Sequence, residues 1–163
     1  MEYLSVYNDK KEKLPKLIER GTKLEENEHI LITTIIIKNK QNKYLIQKTS
    51  KEKGSSYALT GGHVAYNETS KETIIRETKE ELGLDISKDN IAYITDIYLK
   101  TPIMDIYYLE KDIDLNSLTL QKEEVESIMF LKEEEIKELI KKGKFKKSHA
   151  QAFNKFLSKI KEN

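Results

Sequence analysis

Three glutamates, Glu77, Glu80 and Glu81, stand at i, i+3 and i+4 within the stretch from Gly62 to Leu84, GHVAYNETSKETIIRETKEELGL. On a helix those spacings share a face, so three carboxylates come together there. Like charges so close repel, and helix stability gains nothing from them. A hard divalent cation does call for them. Mg²⁺ takes oxygen ligands and favours carboxylates combined with substrate phosphates. The glycine pair ahead of the stretch, Gly61-Gly62, can supply a tight turn, close backbone approach and a carbonyl ligand. Taken alone, the glutamates leave open a solvated acidic face paired with Lys71 and Lys79, in a chain so rich in Glu and Lys.

The segment that must carry these carboxylates has helix signals at both ends. Thr69 and Glu72 have capping-box spacing, a hydroxyl at the N-cap and a carboxylate at N3. Gly83 stands where a helix stop is expected. Ile74, Ile75, Thr78 and Leu82 fall on the opposite arc and predict a core-facing stripe. Ahead of it, Ile30–Ile37 (ILITTIII) reads as a buried strand and Lys43–Lys48 as its partner across a polar turn. Tyr57–Thr60 reads as a short strand running into the glycine pair. Beyond the helix, Ile91–Leu99, Ile103–Leu109 and Val125–Leu131 are strand candidates, and Lys132–Lys142 and Ser148–Lys161 predict helices. The second of these helices carries Ala152, Phe153, Phe156, Leu157 and Ile160 on one stripe. Residues 1–29 are polar and predict a short strand near Tyr3–Tyr7, then an irregular crossing segment. Core packing is expected for most of Tyr57, Tyr66, Tyr98, Tyr107 and Tyr108. The order of elements predicts an α/β or α+β sandwich.

Composition narrows the function classes. The 163 residues carry 29 Lys+Arg against 28 Asp+Glu, a net charge of +1, so a broad basic nucleic-acid surface is excluded. No cysteine occurs, which removes disulfides, thiolate metal sites and any thiol nucleophile. The longest mostly apolar run, Ile30–Ile37, is too short to span a membrane, and residues 1–10 show no apolar signal region. One cytoplasmic domain over residues 1–163 is expected. Only two of the basic residues are arginines, Arg20 and Arg76. An arginine amid so many lysines suggests a task for its planar two-pronged guanidinium, such as holding a glutamate in fixed geometry.

From Gly62, five residues lead to Glu68, seven more lead to Arg76-Glu77, and Glu80-Glu81-Leu82-Gly83-Leu84 completes the run. This resembles the signature of the Nudix hydrolases, with Thr78 the one departure, where the family usually has an aliphatic residue. The resemblance implies an α/β/α sandwich with a mixed central sheet, residues 62–84 forming its loop-helix-loop box. It also implies a MutT-like pyrophosphatase that cuts a diphosphate bond in a nucleoside diphosphate linked to another moiety. On that resemblance Glu77, Glu80, Glu81 and the Gly62 carbonyl hold Mg²⁺, with Mn²⁺ as an alternative ion, while Glu68 and Arg76 brace them. Glu77 is the candidate base, although some relatives place the base on a distant loop. Many relatives add a glutamate from just before a later strand. Glu124 is in best register for that role, with Glu123 and Glu126 as rivals.

The N-terminal half also resembles isopentenyl diphosphate isomerases, which share the Nudix fold: a polar leading segment, His29 before the first long strand, Tyr44–Lys48, and Gly62-His63. The isomerase cysteine lies just before the Gly-His pair, where this chain has Gly61, so isomerase activity is disfavoured. A non-catalytic nucleotide-binding module is the third reading. Such modules lose box glutamates, and here all four remain. The expected partner is a small diphosphate substrate, with no nucleic acid and no membrane. A homodimer formed through the polar N-terminal arm (residues 1–29) is left open.

Overall fold

The computed structural model describes residues 2–162. Its centre is a seven-stranded mixed sheet. Strand β3 (Leu31–Lys38) runs parallel to β8 (Ile103–Glu110) along its whole length, and β8 pairs antiparallel with β7 (Ala92–Tyr98). On its other edge β3 meets β4 (Lys43–Thr49) only at Lys38–Tyr44, and β6 (Thr60–His63) then takes over from Ile32 to Ile35. β4 in turn pairs with β9 (Val125–Lys132) and with the two-residue β5 (Tyr57–Ala58). The parting of β3 and β4 leaves a gap between β4 and β6, and the functional cavity extends into it.

The continuous apolar run of β3 follows from burial on both faces. Ile35 and Ile37 point to one side, where Leu45, Tyr107 and Leu109 meet Ile74 and Leu82 of helix α1 (Ser70–Leu82). Ile36 points to the other side, where Ile46, Met104 and Ile106 meet Phe153 and Phe156 of helix α3 (Lys147–Lys161). Helix α2 (Glu133–Lys141) adds Ile136 to that second layer. The architecture is therefore the expected helix–sheet–helix sandwich. The α1 stripe is also as expected: Ile74, Thr78 and Leu82 are fully buried. Thr78 replaces an aliphatic side chain at no cost in unpaired groups, since its hydroxyl donates to the Ile74 carbonyl at 2.6 Å. In α3, Ile160 is the exception to the stripe and is exposed.

Two expectations need correction. The N-terminal arm is a hairpin: β1 (Tyr3–Tyr7) pairs antiparallel with β2 (Lys13–Glu19), where an irregular segment was expected. Pro15 lies in β2 where the register slips opposite Ser5–Tyr7, a place where a strand tolerates a missing N–H. The hairpin turn is tied to the main sheet by Lys11, whose ammonium meets Asp105 at 2.6 Å and Asp96 at 3.0 Å. Second, Tyr57–Thr60 is not one strand. It breaks at Leu59, whose N–H donates to His149 Nδ1 at 3.0 Å instead of to a neighbouring strand. Among the tyrosines, Tyr107 is buried, but Tyr66 and Tyr98 are each 47% exposed, contrary to core packing.

Candidate active site

Helix α1 begins and ends where its capping signals stand. Thr69 Oγ1 accepts the Glu72 N–H at 3.1 Å, Glu72 Oε1 accepts the Thr69 N–H at 2.9 Å, and Gly83 closes the helix in the left-handed region at φ 69°. These ends fix the rotation of the helix, so Ile74 and Leu82 face the core while Glu77, Glu80 and Glu81 line a cavity of 280 Å³. Glu124 and Gln121 line it as well, together with Gly61, Gly62 and His63.

Glu124 reaches the cavity through backbone hydrogen bonds that the sequence does not advertise. The last turn of α1 leaves carbonyls unpaired. The loop ahead of β9 uses them: Thr119 N–H donates to the Leu82 carbonyl at 3.1 Å and Gln121 N–H to the Glu81 carbonyl at 2.9 Å. Ser50 N–H then holds the Glu124 carbonyl at 3.0 Å. The rivals point elsewhere. Glu126 pairs with Lys48 at 3.6 Å, and neither it nor Glu123 lines the cavity.

Arg76 organises one edge of the face. Its Nε and Nη2 donate to the two oxygens of Glu68 at 2.8 and 3.0 Å, the two-pronged geometry lysine lacks. Its Nη1 reaches Glu77 at 3.2 Å and Glu80 at 3.1 Å. Thr73 Oγ1 also donates to Glu68 at 2.8 Å. The guanidinium beside Glu68 holds that carboxyl below its usual range, and the same contact raises the arginine.

Glu77 and Glu81 behave in the opposite way. Burial first, then their mutual proximity, pushes the Glu81 carboxyl up, and burial raises Glu77 too. Each carboxyl shifts the other, and the charge on Glu77 disfavours a charge on Glu81. The buried Gln47 side chain of β4 acts the other way and favours the charged form of Glu81. Gly62 is required beside them: a Cβ there would lie 2.7 Å from Glu77 Cδ.

Among the described residues no three acidic or imidazole groups already stand in chelating arrangement. Arg76 draws Glu77 and Glu80 toward itself. The donor set still suits a hard divalent ion. It is all oxygen, two of its carboxylates are buried against their own preference for ionisation, and Thr33 Oγ1 at the same cavity is buried with no hydrogen-bond partner. The cavity also takes in Lys53, Lys146 and His149, none of which stood out in the sequence. His63 lines it too, neutral, its pKa pushed down to about 4 by burial and the nearby Arg20 charge.

Residues 28–156 match the NUDIX domain family. An uncharacterized Nudix hydrolase of Listeria innocua is 33% identical over 149 residues, which covers 89% of this chain and 88% of that protein. The solved structure of DR0079 from Deinococcus radiodurans superposes with a TM-score of 0.81 at 21% identity, over 94% of this chain and 98% of that one. An Ap4A hydrolase from C. elegans superposes at a TM-score of 0.60 with 16% identity, over 81% of this chain and 99% of that one. With the domain match across most of its length and a full-length relative at one-third identity, the chain belongs to the Nudix hydrolase family.

Proposed function

We propose that the protein hydrolyses a diphosphate bond in a nucleoside diphosphate linked to a further moiety, using Mg²⁺ held by Glu77, Glu80, Glu81, Glu124 and the Gly62 carbonyl. The observation that carries this reading is convergence. Glutamates from α1 and from the loop before β9 line one cavity, and two of them are buried where only a proton or a cation relieves their repulsion. A bound divalent ion there supplies charge neutralisation for the diphosphate oxygens and acidifies an attacking water.

The chain's own residues do the rest. Arg76, anchored on Glu68, fixes the orientation of Glu77 and Glu80. Glu77 receives the water's proton. Its half-buried position raises its affinity for that proton, the direction a general base needs. Gln47 orients Glu81 from the sheet.

The packing disfavours an isomerase. A cysteine at position 61 has no room, because a Cβ there would lie 2.3 Å from the Thr33 carbonyl oxygen. Retention of Glu68, Glu77, Glu80 and Glu81 favours catalysis over a binding-only module. Among the described residues no helix is long and apolar enough to cross a membrane.

A phosphate-release screen tests the reading. The panel holds nucleoside di- and triphosphates, nucleotide sugars, ADP-ribose, dinucleoside polyphosphates and isopentenyl diphosphate, each with Mg²⁺ and with EDTA. Mg²⁺-dependent cleavage of at least one nucleotide is expected. Binding without cleavage across the panel, or conversion of isopentenyl diphosphate to its allylic isomer, overturns it.

A further inference from the structure

Besides the carboxylates, the cavity is lined by Lys53 and by Lys146 and His149 at the start of α3, which the hydrolytic reading leaves without a task. The approach to α3 is firmly built. Phe145 is buried in the core, and Tyr57 brackets it with two backbone bonds: its N–H donates to the Lys144 carbonyl at 2.9 Å and its carbonyl accepts the Lys146 N–H at 2.7 Å. Lys146 is thereby fixed at the cavity. Its ammonium has no ion pair or hydrogen bond among the described residues, whereas Lys53 already pairs with Glu124 at 3.4 Å.

His149 stands one turn on, only 7% exposed. Its Nδ1 accepts the Leu59 N–H at 3.0 Å, so the ring proton sits on Nε2. That Nε2–H has no acceptor among the described residues, and the ring lines the cavity on the same side as Lys146. Burial and the Lys146 charge push its pKa down to about 3, so the ring is a neutral donor throughout the working pH range. A fixed N–H donor and an unpaired ammonium on one wall are chemistry for anionic oxygens.

We infer that Lys146 and His149 bind the phosphoryl oxygens of the substrate diphosphate, in the same cavity that the acidic face lines. The inference rests on the proposed hydrolytic reading for its substrate class. The competing role for Lys146 is a simple counter-charge to Glu81 and Glu124, which also lie near it.

The test uses methylenediphosphonate, which carries phosphoryl oxygens but no cleavable anhydride, titrated with Mg²⁺ into the full chain by calorimetry. Mn²⁺ affinity is measured separately on the substrate-free protein by electron paramagnetic resonance. Lys146→Ala removes the ammonium. His149→Asn removes the Nε2–H while offering Oδ1 to the Leu59 N–H. Each is expected to weaken methylenediphosphonate about tenfold, the loss of one charge-assisted hydrogen bond, without weakening Mn²⁺. Lys146→Arg should restore most of the loss. Unchanged diphosphonate affinity in Lys146→Ala overturns the inference, as does tighter Mn²⁺ binding with no effect on the diphosphonate, which identifies a counter-charge. Lys146 is exposed, so that variant reports even if His149→Asn folds poorly. The measurement needs no turnover. A chain that cleaves nothing in the substrate screen still answers it, and a chain that cleaves a nucleotide can still fail it.

Discussion

Glu68 and Glu81 belong to one loop-helix segment, yet their surroundings drive their carboxyls in opposite directions. Glu68 receives two N–H groups from Arg76 and a hydroxyl from Thr73, and its pKa falls. Glu81 is buried against Glu77, and its pKa rises. The first arrangement is complete within the protein. The second is completed only from outside, by a proton or by a cation. A structural ion pair and the proposed cation ligand thus differ, within one loop-helix segment, in whether the protein itself satisfies the carboxylate.

The largest effect that would break this comparison is on turnover. Glu81→Gln removes a charge from the cation set and is expected to lower kcat on the order of 10³-fold, about 4 kcal/mol of barrier, with the fold unchanged by circular dichroism. Full activity with Mg²⁺ would place the site elsewhere. Arg76→Lys keeps the charge but loses the two-pronged grip on Glu68 and the reach to Glu77 and Glu80. It should reduce kcat about 10–100-fold, the range expected for a partner that orients ligands. A wild-type rate in steady-state assays would mean the brace is idle.

The smallest effect is on stability, and its sign differs between the two glutamates. The raised Glu81 pKa penalises the folded metal-free state as pH climbs from the ordinary carboxylate range toward its folded-state pKa. In EDTA at pH 8, Glu81→Gln should therefore raise Tm by about 4–8 °C, for roughly 2 kcal/mol relieved, and near pH 4 it should change little. The depressed Glu68 pKa has the reverse sign: its stabilisation is present above the usual carboxylate range and is lost as pH falls through the folded value. Glu68→Gln should lower Tm at pH 8 by about 2–4 °C, with the difference shrinking toward pH 4. Thermal melts at the two pH values check both signs, and equal shifts for the two variants would erase the distinction.

What was legible in the sequence was local. The caps of α1 and the face shared by Glu77, Glu80 and Glu81 follow from spacing within one helix, whereas the Glu68–Arg76 brace came from the family resemblance, and the structure places these residues accordingly. The layer order was legible too, because β3 is apolar on both faces. What escaped notice depends on contacts between distant segments. The hairpin of β1 and β2 hides behind Pro15 and a register slip. The break at Leu59 exists because His149, far along the chain, takes its N–H. Glu124 could be ranked above Glu123 and Glu126 only by family register, since the backbone bonds from Thr119 and Gln121 to the end of α1 leave no local signal. Lys146 was hidden among the many lysines. Gln47 stands in β4 beside Lys48 and Thr49, so its polarity was no local signal either.

The central claim is that the acidic face of α1 is a cation site, and its direct test is calorimetric titration of Mg²⁺ into metal-free protein at pH 7 in two buffers of different ionisation enthalpy. Because burial and the neighbouring Glu77 push Glu81 up to about 9, saturable binding at pH 7 should release about one proton. Both the binding and the release should be lost in Glu81→Gln. No saturable binding, or identical binding and proton release in the variant, would contradict the claim.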